Sequence, residues 1–234
     1  MKAKLCGTIL LVMMMVAGPA GAESRYAPPY EHPSTDVPTQ CSSGSTQDTT
    51  CRSSAEVDAA SGSIRVEASV ASPRSGLMPG VGGIQPSASV DMLHEVPEET
   101  PAVRGIVILN IASARVSHTC PIICPLGGGT AQIRVIVDGD PQACGWNCAK
   151  RYEHRLLDIT NGPTDPIAES VVEIPFELVR DRNPYGKIPA GPMWITVRIE
   201  AQVGLRSSEG TQKHALVGSI DASFSGVLES VVVE

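Results

Sequence analysis

Aromatic side chains are scarce in this chain: phenylalanine, tyrosine and tryptophan make up 3% of 234 residues. A core built here must therefore come from valine, isoleucine, leucine and alanine, and a sugar-stacking platform has few side chains to draw on. A basic excess is also missing. The formal charge is -7, which argues against a nucleic-acid binder, because phosphate contacts need a basic face. Long apolar runs are absent apart from one short stretch at the N-terminus, which excludes a polytopic helical membrane protein. Glycine has no period of three, so the chain is not collagen-like. No repeat of 20–50 residues points to a propeller or solenoid. There is no Asn-x-Ser/Thr sequon at Asn110, Asn147, Asn161 or Asn183.

Catalytic signatures are missing too. Neither G-x-S-x-G nor H-E-x-x-H occurs; His94-Glu95-Val96-Pro97 starts like the latter but lacks the second histidine. Gly127-Gly128-Gly129-Thr130 has no lysine and no strand–helix context, so it reads as a turn, as does Gly80-Val81-Gly82-Gly83. A glycosidase needs two carboxylates facing one cleft, and 25 acidic residues do not single out a pair.

What is present begins with an address. Residues 1–22 carry Lys2 and Lys4, an apolar run from Leu5 to Ala17, and a small-residue close at Ala20-Gly21-Ala22. This is the form of a secretory signal peptide cleaved after Ala22. Its removal takes two lysines and Cys6, leaving a charge of -9 and six cysteines. The expectation is a secreted, extracellular protein that meets the membrane only during export. Thirteen arginines against three lysines in the mature chain suggest a GC-rich bacterial genome.

An even cysteine count in an exported chain reads first as disulfides. The six are Cys41, Cys51, Cys120, Cys124, Cys144 and Cys148. The last four form two C-x₃-C loops, for which three readings compete: one shared zinc site, disulfides between the loops, or one local disulfide in each. The strand expected around Ala131 to Val137 would hold the loops roughly 20 Å apart, and disulfide Cα atoms must lie within about 7 Å. Local pairing, with Cys41 to Cys51 as the third staple, is the simplest arrangement.

Residues 23–60 read as a linker rich in proline, serine and threonine, closed by that local loop. From residue 61 to 234 the pattern is alternation. Ile64, Val66, Ala68 and Val70 share one face, as do Ala131, Ile133, Val135 and Val137. The longest run is Met193, Ile195, Val197, Ile199, Ala201 and Val203. Val103 to Val116 is apolar on both faces at Ile106-Val107-Ile108-Leu109, which suits a strand covered on both sides. Pro175 interrupts Val172, Ile174, Phe176 and Leu178, which places that strand at an edge or bulge. No window supports an amphipathic helix of useful length. The expected fold is all-β: an antiparallel β-sandwich, jelly-roll or Ig-like, with about eight strands.

Site candidates are few. Trp146, inside a cysteine loop, with Arg151 and Tyr152, forms a contact patch; Trp194 falls out of phase with the apolar face of its strand and adds a second aromatic. Asp138 and Asp140 share a tight loop that could take calcium, although Asp and Gly favour such turns for backbone reasons alone. The reading is a disulfide-stapled exported β-sandwich with a binding or structural role at the cell exterior, toward an extracellular protein or glycan. The alternative is a secreted hydrolase acting on carbohydrate or cell-wall material.

Overall fold

The computed structural model describes residues 23–41, 49–72, 82–119, 129–139, 151–159, 164–180, 185–188, 190–205 and 218–234. These form two six-stranded antiparallel sheets packed face to face. In chain order the strands are β1 (Ser24–Tyr26), β2 (Glu31–Asp36), β3 (Thr50–Asp58), β4 (Ser63–Ser72), β5 (Gly82–Ile84) and β6 (Ser87–Val96). They continue with β7 (Ala102–Thr119), β8 (Gly129–Gly139), β9 (Tyr152–Asp158), β10 (Ile167–Val179), β11 (Gly191–Leu205) and β12 (Gly218–Val233). The first sheet runs β10-β7-β12-β4-β3, with β1 also paired to β12; the second runs β2-β6-β11-β8-β9, with β5 also paired to β11. From β9 onward each successive strand changes sheet, which sets β11 and β12 as facing central strands.

The period-two pattern explains which side chains meet. Ile64, Val66, Ala68 and Val70 of β4, and Met193 through Val203 at alternate positions of β11, are all buried. Val107, Leu109 and Ile111 of β7 and Phe224, Leu228, Val231 and Val233 of β12 face them in one core cluster. Each buried valine, isoleucine, leucine, methionine or phenylalanine among them contributes about 1.5–3 kcal/mol, so the aliphatic layer alone is a large stabilising term. The β7–β12 ladder carries two bulges, with Ala112 the extra residue on β7 opposite Ser225–Gly226 and Glu229 the extra residue on β12 between Leu228 and Ser230, and they let this long pair curve.

Four expectations need correction. The described residues form twelve strands rather than about eight. Residues 23–60 are not a linker: they supply β1, β2 and β3. β2 is exposed at all six positions, so it leaves no period-two signal; its ladder to β6 holds it by backbone. The stretch Ile84 to Leu93, whose weaker alternation reads as one strand, is split at Pro86 between β5 and β6. Ile106 and Ile108 are only half-buried on the outer face, so β7 is covered on one side.

Pro175 sits on β10, an edge strand, where a missing N–H can face solvent instead of a ladder partner. The β3–β4 turn is closed by Asp58, which accepts hydrogen bonds from the Ala60 amide (3.1 Å) and the Ser61 hydroxyl (2.6 Å). Those bonds hold its carboxyl below the usual carboxylate range. Gly62 completes the turn at φ +73°, and a Cβ there would lie 2.5 Å from the Leu228 carbonyl oxygen. Cys41 and Cys51 are disulfide-bonded with Cα atoms 5.4 Å apart, as local pairing requires. A loop of this size stabilises by about 3 kcal/mol on the chain-entropy view.

Gly105 on β7 faces the core directly opposite Phe176. The ring lies over the glycine: a Cβ would come 2.7 Å from Phe176 Cζ and 2.2 Å from the Val232 carbonyl oxygen. This is an aromatic covering a cross-strand glycine. Gly105→Ala is therefore expected to cost about 3 kcal/mol or more by urea unfolding. Gly204→Ala, whose nearest neighbour would be Thr130 Oγ1 at 3.3 Å, should cost less than about 1 kcal/mol. Equal costs would mean that Phe176 does not cover Gly105.

Candidate functional site

Because the inner faces are apolar, polar chemistry collects on the outer face of the β2-β6-β11-β8-β9 sheet. The strand register sets its rows. One row is Asp91, Thr196 and Asp138. The Thr196 hydroxyl donates to Asp91 (2.7 Å), and Arg198 Nη2 donates to Asp138 Oδ2 (2.6 Å). Arg151 Nε stands 3.9 Å from Asp138 Oδ1. Further along, Arg134 bridges Glu153 (3.1 Å) and Glu200, and Gln85 donates to Glu200 (2.6 Å). Glu200 is only 3% exposed, so its charge rests on these donors rather than on water. Arg155 continues the ladder to Asp158 at 3.1 Å.

Trp194 occupies the next row, beside Leu93, which is 42% exposed. Between Glu31 and Ser34 the β2–β6 register slips. His32 lies in that bulge at φ +44°, an uncommon conformation for a non-glycine residue. The bulge turns the imidazole onto the indole, with ring centroids 5.0 Å apart and planes 78° apart. Such edge-on pairs add about 0.5–1.5 kcal/mol beyond burial. His32, Leu93 and Trp194 form an amphipathic patch that borders the Asp91–Thr196 and Asp138–Arg198 pairs.

The sequence-based candidates divide in three. Trp194 points outward, as its phase predicts, and Arg151 lies on the same face through its contact with Asp138. Tyr152 does not join them; it pairs with Val137 and packs partly against the core. Trp146, Cys120, Cys124, Cys144, Cys148 and Asp140 lie outside the described residues. Asp138, the other calcium candidate, is engaged by Arg198. Among the described residues no group of three or more histidine, cysteine or carboxylate side chains is placed to hold a metal ion. His32 and Leu93 were missed in sequence, because a bulge and a cross-strand neighbour leave no local mark.

A second polar contact crosses the sandwich. Tyr26 on β1 and His94 on the inner face of β6 meet at 2.8 Å between the hydroxyl and Nδ1. Burial, together with the Glu95 charge and against a Ser24 hydrogen bond, pushes the Tyr26 phenol up, so it stays protonated. The hydroxyl and Nδ1 share one hydrogen bond, whose direction follows the imidazole tautomer. An open recess of about 390 Å³ lies over β3, β4 and β12. It is lined by Arg52, Ser54, Glu67, Ser69, Asp221 and Ser223 and has no aromatic wall.

No protein-family model matches the chain, and no curated protein sequence matches it.

Burial lowers the His94 pKa from 6.5, and the Glu95 charge only partly offsets this. A depressed folded pKa means that the unfolded chain binds the proton more readily. The stabilisation is then complete above the unfolded value and is lost as pH falls through the folded one. Unfolding free energy is expected to decline on acidification from about pH 7 to about pH 5, and to decline less in His94→Phe. Identical pH profiles for the two proteins would remove His94 from this role.

Proposed function

We propose that this chain is an exported, disulfide-stapled β-sandwich that acts by binding at the cell exterior, through the His32–Leu93–Trp194 patch. The patch is the observation that carries the reading. An indole on a sheet's outer face beside an exposed leucine has no part in the core, and its histidine neighbour is held by an uncommon backbone angle. A rigid indole and imidazole bordered by the Asp91–Thr196 hydrogen bond and the Asp138–Arg198 ion pair suit contact with a protein or glycan surface. The Cys41–Cys51 bond supports an oxidising compartment, and residues 1–22 have the form of an export signal.

The reading is tested with the washed envelope of the producing cells as the probe. Wild-type protein should be retained by the envelope. Trp194→Ala should be retained roughly tenfold less or worse, with an unchanged melting temperature. Deleting residues 1–22 should keep the chain inside the cell. Equal retention of wild type and Trp194→Ala, or export without residues 1–22, contradicts the proposal.

A further inference from the structure

We propose that the edge strand β10 is a docking surface for an extended strand of another polypeptide that carries basic residues four positions apart. No described strand pairs with the second side of β10, which is 13 residues long. Its outward side chains run Val171, Glu173, Pro175, Glu177, Val179, and the two valines are 60% and 39% exposed. Behind them the register places Ile108 beside Glu173, Ile106 beside Pro175, and Val232 of β12 beside Ile106. An apolar strip three strands wide thus opens to solvent, framed by two carboxylates. Glu173, Pro175 and Glu177 are the charges and proline that guard an edge against pairing with its own kind, while the exposed valines beside them leave the strip open to a partner of opposite charge.

The order of side chains selects the occupant. It is symmetric about Pro175, so a second copy pairing antiparallel with valine on valine sets Glu173 of one copy against Glu177 of the other, twice. Like charges directly opposite are destabilising. Shifting that pairing by two residues sets carboxylates against valine or Pro175 and abandons the apolar match. A basic strand has neither difficulty. Its side chains opposite Glu173 and Glu177 are cationic, and those between them that face inward lie opposite Ile174 and Phe176 and are apolar. Glu173 has no ion-pair partner among the described residues, while Glu177 accepts from Arg104 at 3.1 Å. Both are exposed. The net charge of -7 draws a basic partner toward the protein. Pro175 withholds one N–H from the new ladder, and the bonds on either side of it remain to be made.

This docking surface is independent of the Trp194 patch and is tested separately. The probe is the peptide Val-Lys-Val-Thr-Val-Lys-Val, compared with Val-Glu-Val-Thr-Val-Glu-Val, titrated into the isotope-labelled mature chain. The lysine peptide should perturb the amides of β10 and bind roughly tenfold tighter than the glutamate peptide. Glu173→Lys, which changes an exposed side chain with no ion-pair partner among the described residues, should erase or reverse that preference without changing the melting temperature. Equal binding of the two peptides, perturbation elsewhere only, or an unchanged preference in Glu173→Lys overturns the proposal. So does self-association of the wild-type chain that Glu173→Lys alters, because the edge then belongs to a second copy.

Discussion

The layer of aliphatic side chains shared by the two sheets constrains everything else in the molecule. With Phe176, Phe224 and Tyr30 as its buried aromatics, the layer is filled by β-branched and small side chains. These suit the pleat of a strand, and each makes a modest contribution. Long strands compensate: β7, β11 and β12 run for 18, 15 and 16 residues. Such length commits one phase of each of these strands to the interior, and the other phase becomes the site of chemistry. Glu200, Arg134, Asp138 and Arg198 can form an outer ladder because Ile133, Val135, Ile199 and Ala201 occupy the inner positions between them.

The same logic shows what the sequence makes legible. Alternation in β4, β8 and β11 reads directly as buried faces, and Trp194 reads as outward because it breaks the phase. Pro175 reads as an edge because a proline has no ladder donor. The Cys41–Cys51 staple follows from short spacing in the chain. β2 stays hidden because none of its side chains is buried, and only the pairing with β6 defines it. Ile106 and Ile108 mislead in the opposite sense, since an apolar side chain on an outer face looks like one in a core. The His32–Trp194 contact joins residues far apart in the chain through a bulge, which no local pattern encodes. Polar partners such as Arg198 and Asp138 become neighbours only once the β8–β11 register is set.

The N-terminal segment ties these parts together. β1 joins the sheet that contains β12, and β2 joins the sheet that contains β11, so residues 23–36 span both. Between them Tyr30 is buried, its hydroxyl donating to the Leu228 carbonyl at 3.1 Å and its amide to Ala59. Tyr26 reaches across to His94. The segment that looks least structured in sequence therefore carries His32 to the patch and fastens one sheet to the other. The two candidate surfaces, one around Trp194 and one along β10, belong to different sheets and leave the inner layer untouched.

Native-state amide hydrogen exchange, residue by residue, tests this account most directly. The aliphatic layer predicts that the inner amides of β7, β11 and β12 exchange only through global unfolding. The strap predicts protection at Tyr30 and at ladder positions of β1 and β2. β10 should alternate between slow amides bonded to β7 and fast ones on its open side. Exchange at unprotected rates throughout residues 23–36, together with uniform rates along β10, would contradict a sandwich fastened by its N-terminal strands and open at that edge.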